Sequence, residues 1–312
     1  MIFLLGYELL VWDARAMGLG GSGAPLSSSH SLYSAPSRLF DVKRPRLGLF
    51  WGLPKPAPSR CGYYALSVAG GLGHGLYGGG ELYFAYFKDS VAQDAAAFAL
   101  SWARGKFSVG GALRVAGHLG GSWILARKTS LSASATFWPS GPMHRFSAGV
   151  RELGTAGDPF ALWLGGVHVL ALRRGALWTP AAFWELAWRE GELSASVGAE
   201  AWWRGFLGLR AGARPFGDTG PEFSLGFSLR TLSVEETDVE ASYALSLPHN
   251  PYETASHWFN LDFAFGDALK PLKDSLLALE QDSVLKAKER WLQEQIRQLE
   301  ARAAALEEEA QR

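Results

Sequence analysis

Apolar residues alternate with small or polar residues along most of the chain, and no other feature constrains its fold as strongly. The alternation recurs from residue 107 to residue 265. In one stretch the apolar residues are Leu131, Ala133, Ala135 and Phe137, and the residues between them are Ser130, Ser132, Ser134 and Thr136. A period of two places successive side chains on opposite faces of a β-strand. The chain is therefore predicted to be all-β, with one apolar face on each strand.

The composition of the two predicted faces distinguishes among the folds that alternate in this way. A soluble sandwich or a small soluble barrel usually carries charged residues on its outer face. Here the polar face is mostly Ser, Gly and Ala with single Arg or Glu residues, and aromatic pairs such as Phe137 with Trp138 stand near predicted strand ends. Apolar residues toward lipid, small polar residues inward and aromatic girdles are typical of a transmembrane barrel. We therefore expect an antiparallel β-barrel in contact with the lipid of the bacterial outer membrane.

The alternating runs predict about 14 strands between residues 43 and 266. The predicted strands cover residues 43–53, 61–70, 80–88, 94–104, 106–117, 128–138, 143–152, 158–170, 174–189, 191–202, 204–215, 221–231, 236–246 and 256–266. The stretch from Cys61 to Gly80 is uncharged but contains eight glycines, so it is interpreted as two strands around a glycine-rich turn and not as a helical span. An even number of strands places both chain ends on the periplasmic side.

The first residues leave two interpretations open. Residues 1–16 combine an apolar core with Ala14-Arg15-Ala16, which fits the pattern of a signal-peptide cleavage site. No basic residue precedes the core, and Glu8 interrupts it. The stretch is either a truncated signal segment or a part of the mature protein.

Residues 267–312 differ in composition from the predicted barrel because they contain no glycine. Apolar residues stand there at heptad spacing: Leu285, Leu292, Ile296, Leu299, Ala303 and Leu306. We expect a periplasmic amphipathic helix or coiled coil. It either packs on its own barrel, pairs with another copy of the chain, or binds a periplasmic protein.

Gly18, Gly20 and Gly23 satisfy the pattern G-x-G-x-x-G of a dinucleotide-binding loop. Such a loop requires a helix that begins at its third glycine, within a β-α-β frame. Pro36 limits any helix that follows Gly23, and no β-α-β alternation follows. These glycines are therefore not interpreted as a cofactor site.

The remaining composition favours neither nucleic-acid binding nor catalysis. Thirty Lys and Arg balance thirty Asp and Glu, whereas nucleic-acid binding needs a cationic excess. The seven His show no metal-ligand spacing, and Cys61 is interpreted as a small apolar side chain. The serines beside His30 belong to no nucleophile motif. We predict no enzyme activity, no metal and no cofactor.

The start of the chain resembles a known family. Residues 14–21 read A-R-A-M-G-L-G-G, which is similar to the A-R-A-x-G-x-G-G start of the FadL-like barrels, in particular the PorV/PorQ group of outer-membrane proteins. The family continues into Tyr-x-Asn-Pro-Ala-Gly-Leu, which Tyr33, Pro36 and Leu39 match and from which Ala35, Ser37 and Arg38 depart. Residues 209–215, 241–246 and 259–266 are similar to strand ends of the same group.

The resemblance implies a barrel of about 14 strands whose N-terminal residues 14–42 fold into the lumen as a plug. In FadL-like transporters the plug gates hydrophobic ligands, which leave sideways through a gap in the wall, whereas PorV-type relatives escort or anchor secreted proteins. The residues so implied are Gly18, Gly20, Gly21, Tyr33, Pro36 and Leu39. Two functions follow: a barrel that passes or holds hydrophobic small molecules, or an anchor or secretion partner that recruits a periplasmic protein through residues 267–312.

Overall fold

The computed structural model describes the barrel strands and part of the chain that precedes them. The described residues are 13–19, 21, 32–42, 44–53, 61–87, 92–119, 128–139, 143–154, 160–170, 177–189, 191–216, 221–231, 237–248, 255–266 and 293. Met1–Gly266 forms one compact unit and Asp267–Arg312 a second. The predicted signal segment up to residue 12 and the heptad residues of the predicted helix lie outside the described residues, so both stay predictions. Within the described ranges, no helix is long and apolar enough to span a membrane.

Fourteen antiparallel strands form a closed barrel, which confirms the predicted antiparallel β-barrel and its strand number. The strands are β1 (Arg46–Leu53), β2 (Cys61–Gly73), β3 (Leu76–Phe87), β4 (Ala92–Arg104), β5 (Phe107–Leu119), β6 (Lys128–Phe137), β7 (His144–Gly154), β8 (Ala161–Val169), β9 (Trp178–Arg189), β10 (Glu192–Trp203), β11 (Leu207–Phe216), β12 (Glu222–Arg230), β13 (Thr237–Pro248) and β14 (Ser256–Phe265). Each strand pairs with its neighbours in sequence, and β1 pairs with β14, with Leu49 opposite Leu261. The described strands therefore leave no free sheet edge, and a lateral gap like the one that the resemblance implies does not occur among them.

The two faces of the strands carry the residues that the alternation predicts. On β6, Leu131 is 51% exposed on the outer face, whereas the next residue, Ser132, is 3% exposed. Leu, Phe, Trp and Val side chains are exposed in the same way around the barrel, and many serines are buried. An apolar exterior around a polar interior reverses the usual arrangement of a soluble protein and suits a barrel surrounded by lipid.

The glycine-rich stretch between β2 and β3 differs from the prediction. The sequence predicts that β3 starts at residue 80, but the strand begins at Leu76 and the turn is limited to His74 and Gly75. Tertiary packing against the N-terminal residues explains this difference. An added Cβ at Gly79 would lie 2.8 Å from a methyl group of Leu32. Close packing inside a strand, and not a turn, therefore accounts for this glycine.

β7 contains a bulge near its end. The register shifts so that Arg151 and Glu152 of β7 together stand opposite Ser132 of β6. Glu152 has a φ of 60°, a left-handed conformation that non-glycine residues rarely adopt. As a result, both Arg151 and Glu152 are buried. Regular alternation would have turned one of these two opposite charges outward.

Two short helices precede β1 in the part of the chain that the structure describes. Helix α1 spans Ala14–Gly18, and Asp13 caps it by accepting a hydrogen bond from the Arg15 amide. A 3₁₀ helix spans Pro36–Asp41. Pro36 stands at its start, where the fixed φ of proline suits a helix and no backbone N–H is needed. Both helices contact the inner face of the barrel.

Candidate functional site: the N-terminal segment on the inner wall

The N-terminal segment, defined as residues 13–19, 21 and 32–42, packs against apolar residues of the inner wall. Leu32, Tyr33 and Leu39 are buried in one cluster with barrel side chains. The large barrel members of this cluster are Phe50, Tyr63, Tyr83 and Trp258. Leu19 belongs to a second cluster that contains Phe183 of β9. Burial of these apolar side chains away from water stabilises the segment against the inner wall.

Glu200 of β10 and the Asn260 amide of β14 hold helix α1, and Arg210 of β11 shares the Glu200 carboxylate. Arg15 pairs with Glu200, with Nη2 to Oε2 at 2.5 Å and Nε to Oε1 at 2.9 Å. Glu200 also lies 3.1 Å from Arg210 Nη2, and Asn260 Nδ2 donates to the Asp13 carboxylate at 3.0 Å. Burial works to lower the pKa of Arg15, but the Glu200 carboxylate outweighs it and raises that pKa above the ordinary arginine value. Arg15 is therefore a cation at neutral pH, and its pairing with Glu200 is an ion pair.

Ser37 of the 3₁₀ helix directs its backbone and side-chain hydrogen bonds to the wall. Its amide donates to Ser134 Oγ at 2.9 Å, and its carbonyl accepts from Ser108 Oγ at 2.7 Å and Ser101 Oγ at 3.3 Å. Its hydroxyl lies 2.8 Å from Thr136 Oγ1 and accepts from Ser134 Oγ at 2.8 Å. Hydroxyl groups of β4, β5 and β6 thus satisfy backbone groups that have no ladder partner.

Tyr33 is held by both its backbone and its ring. Its hydroxyl donates to Ser130 Oγ at 2.7 Å, and its carbonyl accepts from Ser132 Oγ at 2.5 Å. The Arg114 guanidinium lies 4.9 Å from the ring centroid and pairs with Glu152 at 2.8 Å. Burial raises the pKa of the Tyr33 hydroxyl, so this group is a neutral donor at physiological pH. Glu152 in the β7 bulge therefore supplies the carboxylate that balances the charge of Arg114 on the Tyr33 ring.

Two arginines share one aspartate at the end of the 3₁₀ helix. Asp41 accepts from Arg38 Nη2 at 2.8 Å and from Arg145 Nη1 at 2.6 Å. Phe40 stacks on Trp138 with ring centroids 4.4 Å apart. The guanidinium carbons of Arg38 and Arg145 lie 5.9 Å and 5.7 Å from the Phe40 centroid. Burial lowers the pKa of Arg38 to about 10, which leaves this side chain charged at neutral pH.

Glycines of the wall provide space for the backbone of the segment. An added Cβ at Gly110 would lie 2.5 Å from both the carbonyl carbon of Pro36 and the nitrogen of Ser37. At Gly198 it would lie 2.8 Å from the carbonyl oxygen of Leu19. Both distances are well below van der Waals contact, so any side chain at either position would displace the segment.

The structure describes five of the six residues that the resemblance implies for a plug. All five are buried, and Tyr33, Pro36 and Leu39 contribute side chains to the contact with the wall. Gly18 lies against Arg210, whose Cδ would stand 2.7 Å from an added Cβ. Gly21 has a φ of 83° and lies beside Arg214. Gly20 lies outside the described residues, as do the heptad residues.

Sequence reasoning missed most of the residues that hold the segment. They are Arg15, Ser37, Arg38, Gly110, Arg145, Gly198 and Glu200. One sequence signal points to the wall members: single Arg or Glu residues among the small residues of an inner face need charged partners. Another points to Ser37 and Arg38, since both depart from the family stretch. Neither signal identifies the partners, which come from distant strands.

No protein-family model matches the chain, and no curated protein matches it. Solved barrels match it in fold. The CymD monoaromatic hydrocarbon channel superposes with a TM-score of 0.58 at 12% identity, over 84% of this chain and 99% of the channel. The P. putida toluene transporter TodX superposes with a TM-score of 0.57 at 11% identity, over 83% of this chain and 99% of the transporter. A Pseudomonas aeruginosa FadL homologue superposes with a TM-score of 0.55 at 10% identity, over 82% of this chain and 98% of the homologue. The chain therefore has the barrel fold of these proteins.

Proposed function

We propose that the chain is an outer-membrane barrel that passes hydrophobic small molecules and that the N-terminal segment is its plug. One observation carries the proposal: the buried charges, hydroxyls and glycines of the inner wall contact the segment from several strands. The segment is held there by noncovalent contacts, which can form and break reversibly. The apolar outer face supports a position in the membrane. The fold shared with channels for monoaromatic hydrocarbons and toluene supports the choice of cargo.

The wall offers an apolar surface for such a cargo when the plug moves. Phe50, Tyr63, Tyr83 and Trp258 lie in the same buried cluster as Leu32 of the segment. Withdrawal of Leu32 and its neighbours leaves this aromatic surface without its apolar cover. Aromatic side chains provide large apolar area and favourable edge and face contacts with other rings. A hydrophobic molecule, and a monoaromatic one in particular, can replace the contacts that the plug makes.

A reversible disulfide tests whether the plug controls passage. The hydroxyl oxygens of Ser37 and Thr136 lie 2.8 Å apart, so cysteines at both positions are close enough to bridge. We combine Ser37→Cys and Thr136→Cys with Cys61→Ser and measure uptake of radiolabelled toluene into proteoliposomes. Oxidation is expected to reduce uptake to the level of protein-free vesicles, and dithiothreitol is expected to restore it. The two single-cysteine variants are the matched controls.

Two results would contradict this proposal in different ways. Equal uptake by the oxidised and reduced double variant, with the disulfide confirmed by mass spectrometry, would show that the segment is not a plug. Uptake by the reduced protein no faster than by empty vesicles would show that the barrel does not pass the hydrocarbon.

The other role that the sequence predicts stays a prediction. An anchor or secretion partner would depend on residues 267–312, of which the structure describes residue 293 alone. The PorV/PorQ resemblance rests on sequence motifs alone. The channel fold favours a role without catalysis, and we propose none.

A further inference from the structure

The Arg38 guanidinium is buried but bonded on one side only. Its side chain is 3% exposed, and Nη2 lies 2.8 Å from the Asp41 carboxylate. Its Nε and Nη1 atoms are buried and have no hydrogen-bond partner among the described residues. These two atoms carry three N–H bonds. Buried charged donors left without acceptors are costly, and an anion that accepts these hydrogen bonds removes that cost.

The charges around Arg38 do not balance. Arg145 Nη1 lies 2.6 Å from both carboxylate oxygens of Asp41, so one carboxylate serves two guanidinium groups. The Asp41 carboxylate favours the charged form of Arg38, and the positive charges of Arg145 and Arg15 both oppose it. Among the described residues, one positive charge is therefore uncompensated at this place, which lies where the 3₁₀ helix ends.

Arg210 provides an internal comparison. Its Nε and Nη1 are also buried without partners. Three acids nevertheless act on it electrostatically, Glu200, Glu240 and Asp13, against one cation, Arg15. The charge of Arg210 is thus compensated by its surroundings. Arg38 differs from Arg210 because, among the described residues, it has both N–H groups without acceptors and no second carboxylate to balance the shared Asp41.

We propose that Arg38 and Arg145 form a binding site for one monovalent anion, with a carboxylate as the preferred group. A single charge matches the single excess cation. Guanidinium groups match the planar carboxylate in shape and donor spacing. The Phe40 ring, which stacks on Trp138, borders both guanidinium groups, so an acid with an apolar or aromatic body also finds contact area. The anion comes either from solution or from the acid group of an organic molecule inside the barrel.

Calorimetric titration of the full-length protein in detergent tests the site without any hydrocarbon. The buffer is free of chloride, and the titrants are sodium formate and sodium benzoate. We expect saturable binding of at least one of them with a stoichiometry near one. Arg38→Gln is expected to weaken binding by at least about tenfold. Arg104→Gln, which alters an exposed arginine at the end of β4, is the matched control and is expected to bind as the parent does.

A second variant protects the test against misfolding of Arg38→Gln. Arg145→Gln removes one cation and leaves Arg38 and Asp41 as a neutral pair, so it is also expected to abolish the site. A heat-modifiable gel shift verifies that each barrel is folded. Similar affinities for formate and benzoate would assign the site to a free anion, and benzoate binding at least about tenfold tighter would assign it to an organic acid. Absence of saturable binding in the parent, or parental affinity in the folded variants, would overturn the proposal.

Discussion

Gly110 of β5 and Pro36 of the 3₁₀ helix are in such close contact that an added Cβ at position 110 would lie 2.5 Å from the Pro36 carbonyl carbon. We expect Gly110→Ala to displace the 3₁₀ helix, because the opposing atoms are backbone and cannot swing aside. Displacement exposes the peptide bond after Arg38 to trypsin. Cleavage there, in detergent-solubilised protein, is expected to accelerate at least about tenfold, since proteolysis follows local opening.

The next residue in the strand provides the control. An added Cβ at Gly111 meets its nearest atom, the Ser132 carbonyl oxygen, at 3.8 Å. Gly111→Ala is therefore expected to leave cleavage at Arg38 unchanged. Equal cleavage rates in the two variants would contradict the assigned contact.

The carboxylate of Glu200 is expected to hold helix α1, because it pairs with two cations, Arg15 and Arg210. Glu200→Gln leaves the buried Arg210 and the partly buried Arg15 without this partner. Breaking a buried pair in this way costs about 3–5 kcal/mol, so helix α1 should separate from the wall. Hydrogen exchange of the Met17 amide, which donates to the Asp13 carbonyl at 2.9 Å, reports this separation. We expect its protection to be lost.

A more exposed pair serves for comparison with Glu200. Arg214 and Glu222 lie 3.5 Å apart with side chains 28% and 22% exposed, and pairs near the surface contribute about 0–1 kcal/mol. Glu222→Gln should therefore retain the protection of the Met17 amide. Retained protection in Glu200→Gln as well would show that this ion pair does not fix helix α1.

The hydroxyl of Ser37 is expected to make a smaller contribution. Ser37→Ala removes the contacts to Ser134 and Thr136, but Thr136 keeps its hydrogen bond to Ser147 at 2.9 Å. The expected cost is about 1 kcal/mol, which corresponds to an increase in trypsin cleavage at Arg38 of about fivefold. Ser194→Ala, which removes a hydroxyl bonded to the Ala187 carbonyl within the wall, should have no effect. A larger effect of Ser194→Ala than of Ser37→Ala would contradict the assignment.

If the barrel spans a membrane, the cost of a charged residue on its outer face depends on the depth of that residue in the bilayer. Phe98 in the middle of β4 and Leu193 near the start of β10 are 61% and 60% exposed. An arginine costs about 2–4 kcal/mol at the bilayer midplane and about 0–1 kcal/mol near the interface. Phe98→Arg should therefore reduce the folded fraction in lipid vesicles, measured by the heat-modifiable gel shift, far more than Leu193→Arg. Equal folded fractions would argue against a transmembrane position.

The sequence was sufficient to predict the strands of the barrel wall and the residues on each of its two faces, apart from strand boundaries in the glycine-rich stretch. Leu131 and Ser132 took the predicted faces because alternation is a local property, and each strand shows it without its neighbours. Gly79 was misjudged because glycine favours turns, and only the contact with Leu32 shows that it fills a narrow place inside a strand. Glu152 could not be assigned a face, since a bulge shifts the register without a sequence signal.

The contacts of the N-terminal segment were beyond the reach of the sequence. Tyr33, Pro36 and Leu39 were singled out by resemblance, but their partners were not. Arg15 and Glu200 are 185 residues apart, and Asp13 and Asn260 are 247 apart. By itself the sequence determined a 14-stranded wall with an apolar exterior, because period-two alternation needs only neighbouring residues. Only the tertiary structure decided what the inner charges and glycines hold, because closure of β1 on β14 brings distant strands around one segment of chain.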